Sequence, residues 1–132
     1  MLNNLKILDF TTLLPGPFGT LLLADLGADI VHIDRPNKEP ILLDSYLQRN
    51  KKSIVANLKD AGTVEKLKSL VKEYDIIIEQ FRPGVMERLG LGYEALKEIN
   101  PSIIYCSITG YGQTGPYRNR AGPRRPARTG RA

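Results

Sequence analysis

The chain has one cysteine, Cys106, in 132 residues, and a lone thiol cannot close an internal disulfide. No Cys or His stands beside it at the spacing of a metal site, so a disulfide-stapled secreted scaffold and a zinc module do not fit. Long apolar runs are missing as well: nothing approaches the roughly 18 consecutive apolar residues of a membrane span. The first ten residues lack the basic segment and apolar core of a signal peptide. These absences lead to the expectation of a cytoplasmic protein with no membrane partner and no bound metal.

Acid is missing from the end of the chain. Residues 118–132 hold six Arg and no Asp or Glu, whereas residues 1–117 carry 13 Lys+Arg against 14 Asp+Glu. The net charge of +5 therefore belongs to the tail and not to the body of the chain. That tail has no aromatic ring on which a base could stack, which argues against nucleic acid as a partner. What the chain does have is 42% hydrophobic residues, enough to core one domain.

The apolar pattern alternates between short runs and helical stripes. Leu5 to Phe10 is a first strand, closed by a Thr, Pro and Gly loop. Pro17 suits the first turn of a helix that continues through residues 18–26 and stops at Gly27. Residues 29–33 are apolar apart from His32, as expected for a parallel strand covered on both faces. Residues 37–52 are polar, with one helical turn at 44–48, and residues 53–56 are a short extended piece. Asp60 caps a helix to about Tyr74, whose apolar stripe is Val64, Leu67, Leu70, Val71 and Tyr74. Residues 75–79 and 102–108 complete the strands, with helices at 85–89 and 93–99 between them. Strands alternating with helices specify an α/β fold: a Rossmann-like parallel sheet with helices on both faces.

In such sheets ligands bind beyond the carboxyl ends of the strands. The segments there are residues 11–19, Asp34-Arg35-Pro36, Phe81-Arg82-Pro83-Gly84 and residues 109–116, so two arginines and several glycines converge on one rim. Arginine forks grip phosphate, and glycines let backbone approach closely. After the first strand the sequence reads Leu-Pro-Gly-Pro-Phe-Gly, without a dinucleotide fingerprint or a phosphate-binding P-loop, which disfavours NAD and ATP.

Six segments in order carry a family resemblance: Leu14-Pro15-Gly16-Pro17-Phe18 with Leu23-Ala24-Asp25-Leu26-Gly27-Ala28, then Asp34-Arg35-Pro36, Arg49-Asn50-Lys51-Lys52-Ser53, Phe81-Arg82-Pro83-Gly84-Val85-Met86, and Gly110-Tyr111-Gly112-Gln113-Thr114-Gly115-Pro116. Together they resemble the N-terminal part of the class III CoA-transferase family. Asp34-Arg35-Pro36 and Glu79-Gln80-Phe81-Arg82 look most like its 2-methylacyl-CoA racemase branch. The resemblance implies a partial family domain over residues 1–122, followed by an Arg/Pro-rich, disordered tail over 123–132. It also implies an acyl-CoA thioester as partner, with CoA carried by the substrate and no separate cofactor. The positions it assigns to CoA are Arg35, Ala56, Asn57, Leu58, Lys59, Arg82 and Gly122.

In the racemases a His and an Asp exchange the α-proton through an enolate. The family's His-Asp follows the Ala-Gly that here is Ala121-Gly122, yet Pro123-Arg124 stands there. The second Asp, which in the transferases forms an acyl anhydride, belongs beyond residue 132. The resemblance thus implies a truncated form with no catalytic residue of its own, and a one-base insertion, which would turn His-Asp codons into Pro-Arg-Arg, is the expected origin of the change. Full-length members are interlocked dimers, a state this shorter chain is not expected to reach. The alternatives are a CoA transferase acting between acyl-CoA and a carboxylic acid, and a non-catalytic nucleotide-binding module or unproductive fragment. Other chemistry-bearing residues are read as structural: His32 as a packed core residue, Cys106 as a buried thiol, and Asp9, Asp25 and Asp34 as caps or solvated carboxylates.

Overall fold

β-Branched and leucine-rich runs of four to six residues form the sheet. In the computed structural model, which describes residues 1–39 and 42–122, the strands are β1 (Lys6–Phe10), β2 (Asp29–Asp34), β3 (Lys52–Val55), β4 (Ile76–Glu79) and β5 (Ile104–Ser107). All pairings are parallel, in the order β3-β2-β1-β4-β5. Leu8 of β1 lies level with Val31 of β2 and Ile77 of β4, so the centre of the sheet is apolar across three strands. The strand pattern read from sequence holds, and residues 52–55 add an edge strand. Their side chains are all exposed, so they carried no alternation to read.

Among the described residues five helices flank the sheet: α1 (Pro15–Asp25), α2 (Asp44–Leu47), α3 (Ala61–Val71), α4 (Val85–Arg88) and α5 (Tyr93–Ile99). The period of two along each strand sorts the core into two halves. Leu8, Phe10, Val31 and Ile33 pack with Val64 and Leu67 of α3, Met86 of α4 and Leu96 of α5. Ile7, Ile30 and Ile78 face the other way and pack with Ala24 of α1. Helix α1 starts three residues before Phe18, because Pro15 and Pro17 both fall in a first turn that needs no amide donor. Asp60 caps α3 as expected, accepting from the Thr63 amide at 2.7 Å. That helix ends at Val71, where the Asn100 side chain donates to the carbonyls of Val71 and Tyr74 at 3.0 and 2.9 Å. The tail from Pro123 and the disorder expected of it lie outside the described residues. Among the described residues no helix is long and apolar enough to cross a membrane.

Candidate functional site at the carboxyl edge

Parallel strands deliver all their carboxyl ends to one edge. The chain builds β2 and β3 on one side of β1, then crosses to build β4 and β5 on the other, so the topological switch lies between β1 and β4. Arg35 follows β2, residues 56–59 follow β3, and Arg82 follows β4. Gly122 returns beside Gly110, just after β5: a Cβ added at Gly110 would lie 3.3 Å from the Gly122 Cα. All seven positions implied by the resemblance thus sit on loops of this edge. Arg35 and Arg82 are exposed and stand on strands flanking β1, two strand spacings or about 10 Å apart at their roots. Neither guanidinium has a hydrogen bond or ion pair to another described residue.

The four residues after β3 divide by role. Ala56 is buried, its amide donates to the Asp34 carbonyl at 2.8 Å, and Leu58 packs on the core. The Asn57 side chain accepts from the Lys59 amide at 3.1 Å, a local turn that leads into α3. Only Asn57 and Lys59 present exposed surface. Beside them a shallow pocket of about 260 Å³ is lined by Asp34, Arg35, Asn37, Lys38, Gln48 and Val55 among others. Lys38 bridges Asp34 and Asp44 at 3.4 Å each within it.

A buried polar cluster lies under the loop that follows β1. Asp9 is fully buried, neither cap nor solvated carboxylate as expected from sequence, because its side chain points to the α1 side of the sheet. It accepts from the Thr11 amide at 2.9 Å, the Thr11 hydroxyl at 2.5 Å and the Thr20 hydroxyl at 2.6 Å. The Lys51 ammonium, itself wholly shielded, lies 3.4 Å from Asp9, 2.7 Å from the Thr20 hydroxyl and 3.0 Å from the Pro17 carbonyl. His32 is a packed core residue, as read from sequence. Its Nδ1 is 3.4 Å from Asp9 Oδ2 and lacks a well-aligned hydrogen bond. Burial pushes the Asp9 carboxyl up, but the close approach of His32 and hydrogen bonds from Thr11 and Thr20 outweigh it and hold the group below the ordinary aspartate range. Burial lowers Lys51, opposed by Asp9. Lys51 and Thr20 were not legible as a site, since nothing in a polar Arg-Asn-Lys-Lys run tells which side chain turns inward.

On the opposite face, Glu79 ends β4 with its side chain buried, accepting from the Phe81 amide at 2.7 Å. Burial raises its carboxyl, against hydrogen bonds from Ser107 and the Phe81 amide. Gln80 points back to the α1 side, where its carbonyl accepts from the Gly16 amide. Cys106 is exposed, which corrects the buried thiol expected from sequence. It lies on an edge strand beside exposed Ile104, and Ala24 of α1 packs instead with Ile7, Ile30 and Ile78 nearer the sheet centre. Asp25 and Asp34 are surface carboxylates, paired with Arg49 at 2.5 Å and Lys38 at 3.4 Å. In the glycine-rich loop, Arg120 stacks over both Tyr111 and Tyr117, 5.9 and 5.6 Å from the ring centres. No group of three or more His, Cys, Asp or Glu able to hold a metal occurs among the described residues.

Comparison with known proteins bears on this edge. The CoA-transferase family III profile matches residues 2–123. The human succinyl-CoA:glutarate CoA-transferase is 46% identical over 92% of this chain and 31% of its own length. The human alpha-methylacyl-CoA racemase is 40% identical over 92% of the chain and 31% of its own. A crystal structure of a CaiB/BaiF family protein from Brucella suis superposes with a TM-score of 0.81 at 39% identity, over 92% of this chain and 36% of that one. The chain therefore spans about a third of the length of the relatives it matches. With the profile spanning nearly the whole described chain, this protein belongs to CoA-transferase family III.

Proposed function

We propose that this chain supplies the CoA-binding edge of a family III enzyme, and that the reaction it serves transfers CoA between an acyl-CoA and a carboxylic acid. The observation that carries the reading is the pair Arg35 and Arg82: two exposed guanidiniums on one edge, flanking the topological switch, with no ion pair to other described residues. CoA presents several phosphates on one end and a flexible arm on the other, and guanidinium forks match phosphate geometry. Asn57, Lys59 and the Gly110 and Gly122 backbones extend the same rim, with Ala56 and Leu58 placing it on the core.

Transfer is preferred to α-proton exchange because the transferase relative is 46% identical and the racemase relative 40%. Racemase-like exchange is the second reading, favoured by Asp34-Arg35-Pro36 and Glu79-Gln80-Phe81-Arg82.

Titrating the chain with CoA by calorimetry tests the proposal. Saturable binding is expected; no heat at millimolar CoA overturns it. Incubating a 2-methylacyl-CoA with the chain in deuterated water separates the two reactions. No α-deuterium is expected, and its appearance moves the assignment to the racemase reading.

A further inference from the structure

The loop between β1 and α1 is strained and held at both ends by one buried cluster. Leu13 sits at φ 65°, in the left-handed region that a leucine seldom occupies, and it is 74% exposed, so its own side chain does not hold it there. Strained backbone persists only where its surroundings over-determine it. Here Thr11, at the start of the loop, donates twice to Asp9, and Pro17 and Thr20, in the first turns of α1, contact the Lys51 ammonium. Lys51 and Asp9 then meet at 3.4 Å, closing the frame beneath the loop.

The residues around Lys51 serve a different purpose. Arg49 and Asn50 hold Asp25 at the far end of α1, at 2.5 and 2.9 Å, and Lys52 holds Asp29 at 2.7 Å. Asn50, at φ 59°, reverses the backbone between them. Of four consecutive polar residues, only Lys51 turns its charge into the interior.

We infer that Lys51 is a positioning residue for the ligand edge: its ammonium ties the first turn of α1 to Asp9 and so holds the strained Thr11-to-Gly16 loop in the shape that CoA meets. This rests on the CoA reading above. Lys51 touches no ligand in this role; it acts through the loop.

The test compares the wild-type chain with Lys51→Met, with the charge-neutral double variant Asp9→Asn/Lys51→Met, and with the surface control Lys52→Met. Amide hydrogen exchange reports the loop, and calorimetric CoA titration reports the edge. The double variant leaves no unpaired buried charge, so it keeps the fold where the single variant fails to. Expected are at least tenfold faster exchange at residues 13–19, with α3 amides unchanged, and at least tenfold weaker CoA binding. Lys52→Met should match wild type in both. A purely structural role predicts faster exchange across the whole fold, α3 amides included, with unaltered CoA affinity, and that result overturns the inference. So does unchanged exchange at residues 13–19. Failure of the wild-type chain itself to bind CoA overturns the CoA reading and the role in binding together, and is recognised because it precedes any substitution.

Discussion

The amide of Gly16 donates to the side-chain carbonyl of Gln80 across 3.2 Å, joining the loop after β1 to the loop after β4 at the topological switch of the sheet. A Cβ at residue 16 would collide with Gln80 Oε1 and with the Thr11 side chain. The glycine is needed for close approach and not for an unusual backbone angle. Gly16→Ala should therefore push the two loops apart at a cost of about 1–3 kcal/mol, the usual penalty of overpacking. Gln80→Ala should cost about 1 kcal/mol through the lost hydrogen bond. Urea unfolding checks both, and equal midpoints for wild type and Gly16→Ala would refute the contact.

Glu79 makes stability depend on pH from the alkaline side. Burial raises its carboxyl above the ordinary glutamate value of 4.5, so the folded chain holds this proton more tightly than the unfolded one. Its contribution is then favourable below 4.5 and is lost as pH rises through the folded value. Glu79→Gln keeps an acceptor for the Phe81 amide while removing the charge. The variant should have a higher urea midpoint than wild type at pH 7 and no advantage at pH 4.

Asp9 acts in the other direction. Its carboxyl is held below the ordinary value of 3.8, so its stabilisation is complete above that pH and is lost as pH falls through the folded value. Asp9→Asn leaves the Lys51 ammonium buried without its counter-ion, which costs about 3–5 kcal/mol. Adding Lys51→Met should recover most of that loss. A double variant no more stable than Asp9→Asn would show that the two charges are not coupled.

Leu67 on α3 is buried in the larger half of the core together with Leu96 of α5. Leu67→Ala opens a cavity there and should cost about 2–5 kcal/mol. Thermal unfolding followed by circular dichroism measures it, and a cost below 1 kcal/mol would place α3 outside the cooperative core.

Arg35→Ala and Arg82→Ala should each weaken CoA binding about tenfold, in keeping with about 1.5 kcal/mol for a charge-assisted hydrogen bond at an exposed site. Raising salt should weaken wild type more than either variant. An effect confined to one arginine would break the shared edge into unrelated halves.

Much of the molecule could be read along the chain. The continuous apolar run Ile76-Ile77-Ile78, covered on both faces, and the one-sided stripe Val64, Leu67, Val71 belong to local pattern, and the structure has them as a strand and a helix. The landmarks placed Arg35 and Arg82 on strand ends because a parallel α/β pattern sends every strand end to one edge. The edge strand β3 was faint, since its side chains are exposed on both faces.

Other features were decided only when distant segments met. Cys106 and Asp9 exchanged their expected surroundings because exposure on a strand depends on which helix covers it, a property of neighbours far along the chain. Asp9 and Lys51 lie 42 residues apart. Their pairing, and the strained loop it frames, has no period or motif to announce it. Sequence determined the elements, their order and the family, because those follow from local pattern; tertiary structure alone decided which charges are buried together, because desolvation is a property of the assembled interior.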